Sequence, residues 1–294
     1  MSVSDDIACA AQLACLLEAS APKPGNVSPR RHFHDTRYED FLASAAAIGP
    51  AFARAGDDAL GATVIEANRD TARWTRSNTN LGIVLLLAPL AHAAHGACRT
   101  NFSIRGELAR VLRSTTVRDA ADVYEAIRIA RPAGLGKVED EDVASAPSVV
   151  LRDAMVLAAE RDGIAREYAT DFATTFETGA PALARARRDG LSWDDAVVEC
   201  YLALLAAAPD THIARKLGSA IAVHVSESAR AALEAGGIRT AAGRDSIALF
   251  DRQLRDERNS RNPGTTADLT AAAIYVVLLE EILQPSHDGN RGKC

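Results

Sequence analysis

Aromatic residues and alternating apolar patterns are scarce in this sequence. Only 5% of the 294 residues are aromatic, whereas Ala and Leu fill long stretches of the chain. Ala and Leu lose little entropy in a helix, so this composition favours helices over strands. Apolar residues also recur with helical spacing along most of the sequence. We therefore predict an all-α fold of about ten helices in a single domain over residues 1–294, because no long linker or internal repeat interrupts the pattern.

The chain also lacks a surplus of basic charge and a long apolar run. Its formal net charge is −6, and its Lys and Arg residues are spread along the sequence, which offers no basic patch to a nucleic acid. The longest apolar run, Ile83 to Ala91, is much shorter than the roughly 20 residues that cross a bilayer. The acidic segment Met1 to Asp6 does not resemble a signal peptide. These features predict a cytoplasmic protein that binds neither nucleic acid nor membrane, and they leave a homo-oligomer open.

The motifs of several catalytic classes are absent. Five cysteines form no CxxC pair and seven histidines form no HExxH motif, which argues against a disulfide framework and a zinc hydrolase. The chain has no GxGxxG motif, no Walker lysine loop and no recognisable nucleophile arrangement. The remaining carboxylates, amides, hydroxyls and basic groups suit the Mg²⁺-assisted handling of a polyphosphate.

Helix boundaries are well marked in several places. Ser103, Thr116 and Ser192 each precede an apolar helical pattern and are predicted to cap a helix. Glycines and acidic residues between Pro132 and Pro147 predict a surface loop or hinge there.

Four polar segments interrupt the helical pattern, and the first runs from Pro22 to Val27. Two prolines stiffen a turn around Lys23, and Gly25 allows the backbone to approach another group closely, with Asn26 beside it. A rigid loop that presents an ammonium group suits a bound phosphate. An ordinary loop at the end of a helix is the alternative, because Pro and Gly are common in any turn.

The second segment, Ser77 to Gly82, directly precedes the longest apolar run. Its short polar side chains can cap the following helix, or the free N–H groups of that helix can bind an anion. The candidate residues of this segment are Asn78, Thr79, Asn80 and Gly82. Upstream, Glu66 lies on a predicted helix that leads into this loop, where it is either a functional carboxylate or part of a solvated face.

The third and fourth segments pair carboxylates with basic or hydroxyl groups. Asp210 precedes a predicted helix, and Arg215 follows about one turn later, so the pair suits either helix capping or a metal and phosphate site. The fourth segment opens the last predicted helix. It contains a glycine turn, two hydroxyls and a carboxylate: Gly264, Thr265, Thr266 and Asp268. Asp268 has the alternative role of complementing the helix dipole.

Together, and in this order, the four segments resemble the signatures of the triphosphoribosyl-dephospho-CoA synthase family, which is found beside citrate lyase and malonate decarboxylase systems. The first resembles the family's PKPG loop, and the second, with Glu66 upstream, resembles its NTHKG segment. Asp210 with Arg215 resembles D[ST]NVxxR, and the fourth segment resembles PGGSADLL. The resemblance covers residues 8–283 and looks like a divergent branch, because Asn80-Leu81 replaces the family's His-Lys and His212 replaces its Asn.

The resemblance implies an enzyme that joins the triphosphoribosyl group of ATP to the 2′-hydroxyl of 3′-dephospho-CoA and releases adenine. It implies Asp268, Asp210 and Glu66 as catalytic candidates, and Asp210 and Asp268 as Mg²⁺ ligands. It assigns Lys23 and Arg215 to phosphate binding and Asn78 with Thr79 to substrate orientation. The remaining residues of the four segments are further candidates for substrate binding: Gly25, Asn26, Asn80, Gly82, Gly264, Thr265 and Thr266.

Three alternatives to that reaction remain at the level of sequence. The first is a related ribosyl-phosphate transferase that uses another acceptor, such as a pterin-type one-carbon cofactor precursor. The second is a Mg²⁺-dependent hydrolase of ADP-ribose-like bonds, which would use the same acids with water as the acceptor. The third is a nucleotide-binding protein without catalysis, which the loss of a basic residue at Leu81 favours.

Overall fold

In the computed structural model, residues 2–100, 102–132 and 140–283 are described, and these residues form helices and turns without a β-strand. Their α-helices are, in chain order, α1 (Val3–Ser20), α2 (Tyr38–Ala47), α3 (Gly49–Ala53), α4 (Leu60–Ala72), α5 (Leu81–Thr100), α6 (Ile104–Arg113), α7 (Val117–Ala130), α8 (Leu151–Ala158), α9 (Gly163–Ala169), α10 (Ala180–Arg188), α11 (Trp193–Ala207), α12 (Thr211–Leu217), α13 (Ser219–Glu234), α14 (Ala241–Leu254) and α15 (Gly264–Leu283). A π-helical turn, Thr175–Gly179, precedes α10, and a 3-10 turn, Gly237–Arg239, precedes α14. The all-α prediction is therefore confirmed.

The described residues contain more helices than the ten or so that the sequence indicated. The additional helices are short: α3 has five residues and α12 has seven. Only Ile48 separates α2 from α3, and only Gly218 separates α12 from α13. Such short helices show too few turns for a helical period to be recognised.

The three predicted helix caps are all present. The side-chain oxygens of Ser103, Thr116 and Ser192 each accept a hydrogen bond from a backbone N–H in the first turn of the helix that follows. At Thr116, Asp119 returns the interaction to the capping residue and completes a capping box. The loop predicted between Pro132 and Pro147 is described only in part, because residues 133–139 lie outside the described residues.

Two long apolar helices, α5 and α15, form the centre of the molecule. Each has 20 residues and is buried along most of its length. They pack against each other, and α1 packs against both. By length and composition alone, α5 could span a membrane, and so could the bent pair of α11 and α12 taken together. In α5, however, 83% of the apolar window is buried inside the protein, as expected for a core helix.

Candidate active site

A cavity of about 490 Å³ lies where several helix ends meet. The end of α1 and the beginnings of α5, α9, α12 and α15 contribute to its wall. All four polar segments reach this cavity. Nine of the predicted site residues line it: Asn26, Asn78, Thr79, Asn80, Gly82, Arg215, Gly264, Thr265 and Asp268. Tertiary packing therefore brings together segments that lie far apart in the sequence.

Asp268 lies in the cavity wall and packs against α5. A Cβ built on Gly82 would lie 2.0 Å from Asp268 Oδ2, so only glycine at position 82 leaves room for this carboxyl group. Burial raises the pKa of Asp268 well above its usual value, and the negative charges of Glu18, Asp210 and Asp162 add to the effect. A carboxyl group that binds its proton this tightly is a stronger base than an ordinary aspartate once it is ionised.

Glu18 is a second carboxyl group in the cavity wall, and no sequence motif singled it out. It is 3% exposed and lies at the end of α1. Its Oε1 is 3.0 Å from Lys23 Nζ, in an ion pair that is almost completely buried. Lys23 also donates to the backbone oxygens of Glu18 and Ala21 and does not line the cavity. The structure therefore places the Lys23 ammonium against Glu18, and not where a phosphate in the cavity would contact it.

Asp210 has a structural position between two helices. Its Oδ1 accepts from the Ile213 N–H at 3.0 Å and caps α12. Its Oδ2 accepts from the N–H and from the Oγ1 of Thr266, both at 2.7 Å, near the start of α15. Burial raises the pKa of this carboxyl. Asp210 and Thr266 do not line the cavity, and both oxygens of Asp210 accept hydrogen bonds that join α12 to α15.

Basic side chains gather on α12 and on the loop before α15. Arg215 forms an ion pair with Asp162 at 2.5 Å, while its Nε is buried without a hydrogen-bond partner. Lys216 and Arg258 line the same cavity. Burial is the largest cause that lowers the pKa of Lys216, and the nearby Arg215 contributes. These cations suit a polyphosphate ligand, since each phosphate oxygen can accept from several N–H donors.

The polar side chains of the loop before α5 hold that loop in place as well as lining the cavity. Asn78 Oδ1 accepts from the Leu81 N–H at 3.1 Å and caps α5, as one of the sequence alternatives expected. Asn80 Nδ2 donates to Thr71 Oγ1 at 3.0 Å. The Thr79 hydroxyl bonds with that of Ser44. The cavity wall is therefore rigid at this loop before any ligand binds.

The loops of the first and fourth segments pack against each other beside the cavity. Gly25 has a φ of +75°, and a Cβ built at this position would lie 3.2 Å from Pro263 Cδ. Its N–H donates to Asp251 Oδ1 at 2.9 Å. Asn26 Nδ2 donates to the Tyr201 hydroxyl at 3.0 Å. Gly25 therefore has the close backbone approach that the sequence predicted, although its neighbour is protein rather than ligand.

The beginning of α15 is also fixed by contacts with α12. The Thr265 hydroxyl bonds with that of Thr211 at 3.1 Å. Gly264 lies against the His212 ring, and a Cβ built on Gly264 would lie 3.3 Å from that ring. Burial, together with the charges of Lys216 and Arg215, lowers the pKa of His212 to about 3. His212 is thus a neutral ring in the cavity wall at neutral pH.

Glu66 does not reach the cavity. It lies on α4, is partly exposed, and forms an ion pair with Arg54. The structure therefore places Glu66 away from the other predicted site residues, on the partly exposed helix face that the sequence offered as the alternative. Sequence reasoning could not distinguish these alternatives, because the direction in which α4 turns this residue depends on its packing against α7.

Within the described residues, no group of three or more His, Cys, Asp and Glu side chains is arranged to hold a metal ion. Mg²⁺ commonly binds through one or two carboxylates together with substrate phosphates. Asp268 and Glu18 are carboxyl groups in the cavity wall, and both lie beside a space that a phosphorylated ligand can enter. The donor set therefore fits Mg²⁺ that arrives with a polyphosphate.

The fold and the cavity define an all-α protein whose site offers carboxyl groups and basic side chains to a phosphorylated ligand. A model of the CitG family, described as ATP:dephospho-CoA triphosphoribosyl transferase, matches residues 4–287. The chain therefore belongs to this family of transferases.

Comparisons with individual proteins agree with that family. A probable 2-(5''-triphosphoribosyl)-3'-dephosphocoenzyme-A synthase from Stutzerimonas stutzeri is 34% identical over 113 residues, which are 38% of each chain. The corresponding protein from Azotobacter vinelandii is 33% identical over 157 residues, 52% of this chain and 51% of the relative. A solved structure from Archaeoglobus fulgidus with the triphosphoribosyl-dephospho-CoA synthase name is 32% identical, has a TM-score of 0.62, and covers 81% of this chain and 98% of its own. The chain thus matches only about two fifths to one half of the length of these curated relatives.

Proposed function

We propose that this chain transfers the triphosphoribosyl group of ATP to the 2′-hydroxyl of 3′-dephospho-CoA and releases adenine. The observation that carries the proposal is the position of Asp268, a carboxyl with a raised pKa in the wall of a cavity that basic side chains also line. The family to which the chain belongs and the names of its relatives support the same reaction.

The basic side chains bind the triphosphate in this proposal. Arg215, Lys216 and Arg258 line the cavity, and their charges offset those of the phosphates. Mg²⁺ would be held by phosphate oxygens beside the Asp268 carboxyl, and when bound it would neutralise phosphate charge and help to orient the donor. Lys23 takes no part in this binding, because its ammonium is paired with Glu18 inside the protein.

Asp268 also acts on the reacting sugar. The bond between the anomeric carbon of ATP and the adenine nitrogen breaks, its electron pair leaves with adenine, and the base takes up a proton from solvent. The acceptor oxygen forms a new bond to the same carbon, and the Asp268 carboxylate takes the proton of the acceptor hydroxyl. A carboxylate near the anomeric carbon also stabilises the positive charge that develops on the sugar, as in glycoside cleavage.

A different acceptor is the second candidate, and Leu81 is the observation that favours it. Leu81 lines the cavity at the position where the family pattern has a lysine. Asn80, beside it, donates to Thr71 inside the protein. The loss of one cation from the wall reduces the attraction for a polyanionic acceptor, which leaves an alcohol with fewer phosphates, such as a pterin-type precursor, as the alternative.

The purified protein, incubated with ATP, Mg²⁺ and 3′-dephospho-CoA, tests the proposal. We expect free adenine by chromatography and the conjugate, which keeps the triphosphate, by mass spectrometry. Removal of Mg²⁺ with EDTA should stop both. Glu66→Gln is the matched control, because it neutralises a carboxylate that lies outside the cavity, and it should keep the wild-type rate.

The products separate the alternatives. Adenine without any acceptor would identify a hydrolase. Adenine that forms only with a different alcohol would show that the acceptor is not dephospho-CoA. If no adenine forms with any acceptor while ATP still binds, the chain is a nucleotide-binding protein and the proposed transfer is wrong.

A further inference from the structure

One side of the cavity is lined mainly by apolar side chains, and no role in the reaction has been assigned to it. We call this side the apolar compartment. It is formed by residues of α7, α8 and α9: Val123, Ile127, Leu151, Ala154, Met155 and Ile164. These helices pack against one another in that order. Arg131 and Arg161, which follow α7 and α8, also line the cavity, but the apolar side chains themselves suit an uncharged, flat or aliphatic part of a ligand.

The apolar compartment begins directly beside the reacting carboxyl group. A Cβ on Gly82 would lie 2.0 Å from Asp268 Oδ2 and 2.8 Å from Ile164 Cδ1. The carboxyl oxygen and the Ile164 methyl group therefore approach the same backbone atom from the cavity side. A group attached to a sugar carbon beside Asp268 is close enough to enter the compartment.

Polar groups lie at the edge of the compartment. The Tyr124 hydroxyl donates to the backbone oxygen of Glu141 at 2.9 Å and to its Oε2 at 3.3 Å. Ser148 donates to the same carboxylate through its N–H and its hydroxyl. A carboxylate held in this way can accept from the amino group of a heterocycle whose faces contact the apolar side chains. The combination of apolar faces and one fixed acceptor is the chemistry that a purine with an exocyclic amino group requires.

We propose that the apolar compartment binds the adenine ring of the ATP donor and receives it as the leaving group. The inference rests on the proposed function and adds the place of the base to it. In the donor the base is bonded directly to the reacting carbon, so a site next to Asp268 is within its reach. The pantetheine arm of the acceptor is joined through a diphosphate at the far end of the ribose and is many bonds away from the reacting oxygen. The acceptor's own adenine is closer to that oxygen, and the experiment below separates the two bases.

The binding of ATP and of inorganic triphosphate by calorimetry, without acceptor, tests this inference. Ala154→Phe fills the compartment with a ring, since Ala154 is buried in its wall. We expect ATP to bind at least about tenfold more weakly to this variant, whereas inorganic triphosphate should bind as to the wild type, because its cations are untouched. The matched control is Val156→Phe, on the same helix with a side chain that is 45% exposed. It should bind both ligands normally.

A second variant tests the inference even if Ala154→Phe does not fold. Met155→Gln has nearly the volume of the native side chain but places a polar amide in the compartment, and it should weaken ATP binding without changing that of triphosphate. The inference is wrong if both compartment variants bind ATP like the wild type. It is also wrong if they raise KM for dephospho-CoA and leave KM for ATP unchanged, because the compartment would then hold the acceptor's base. If transfer to dephospho-CoA fails while the ATP result holds, only the proposed acceptor is at fault.

Discussion

At the scale of single residues, Asp268 differs from an aspartate that only complements a helix dipole. It lies beyond the first turn of α15, where the helix dipole has less effect, and Asp210 provides the cap that this end of the helix uses. Burial and neighbouring acids make its ionised form costly in the absence of ligand. A group kept at such a cost is typical of active sites, where stability is given up for chemistry.

Replacement of Asp268 by Asn should abolish transfer and increase stability. Activity should fall by a factor of about 10² to 10⁴, the usual effect of losing a general base. An unfolded aspartate ionises near pH 4, whereas the raised pKa means that folded Asp268 holds its proton at higher pH. Wild-type stability therefore decreases as pH rises from about 4 to the folded pKa. Asn cannot ionise, so the variant should melt at a higher temperature than the wild type at pH 8.

The role of Asp268 as the base also predicts how the activity of the wild type depends on pH. A base must be ionised to accept a proton, so kcat/KM should rise with pH through the raised pKa of Asp268. Thermal melts of the wild type and of Asp268→Asn at pH 8 and pH 4 measure the difference in stability between the two proteins, which should shrink at the lower pH. A variant with unchanged turnover would remove Asp268 from the reaction.

Lys23 belongs to the segment that resembles the family's PKPG loop, and its contacts are with protein groups. Its ammonium and the Glu18 carboxylate are buried together, and the loss of one partner leaves the other charge unpaired. Lys23→Met should therefore lower the free energy of unfolding by about 3 to 5 kcal/mol. Adding Glu18→Gln should recover part of this loss, because no buried charge then remains. Urea denaturation of the two single variants and the double variant measures the coupling; additive losses would contradict the ion pair.

At the scale of helices, the contacts of Asp210 join α12 to α15. One carboxylate accepts from the first turns of both helices, and it thereby fixes the spacing between the basic residues of α12 and the carboxyl of α15. Asp268 and Arg215 belong to these two helices, so the distance between them depends on this junction. Asp210 is therefore a positioning residue in our proposal.

Asp210→Ala should destabilise the protein more than the loss of an ordinary helix cap. It leaves the Ile213 N–H and both donors of Thr266 without an acceptor in a buried place, which should cost about 2 to 4 kcal/mol. Ser192→Ala, which removes an exposed cap from one helix, should cost only about 1 kcal/mol. Equal losses in urea denaturation would show that Asp210 does not connect the two helices.

At the scale of the whole molecule, the cavity combines residues from both ends of the chain. Glu18 lies on α1 and Asp268 on α15, and these helices pack side by side. A ligand held between them contacts segments that are about 250 residues apart in sequence. Ligand binding is thus coupled to the folding of most of the chain.

ATP with Mg²⁺ should raise the melting temperature of the wild type in one cooperative transition. At a ligand concentration of 100 times Kd, the expected stabilisation is about 2.7 kcal/mol. The sequence prediction of a single domain requires one transition for the whole chain. Calorimetric melts with and without nucleotide measure both quantities, and two transitions of which only one responds to ATP would contradict the single domain.

Sequence patterns predicted elements better than they predicted side-chain roles. The caps at Ser103 and Thr116 were correct because capping is a local interaction between residues three apart. The structure brings residues of the four polar segments to one cavity, whereas Lys23 and Asp210 bind protein groups beside it. Glu18 escaped notice because an acid in an otherwise apolar helix carries no motif of its own.

The amino-acid sequence by itself determined the helical class, several helix ends and the family, because these depend on composition, local hydrogen bonds and the order of short motifs. Only the tertiary structure decided which polar groups remain free to meet a ligand. A buried carboxylate such as Asp210 satisfies its oxygens with whichever N–H groups the packing brings near, and Asp268 remains open to the cavity because Gly82 lies opposite it. Those contacts join residues far apart in the chain, and no local pattern specifies them.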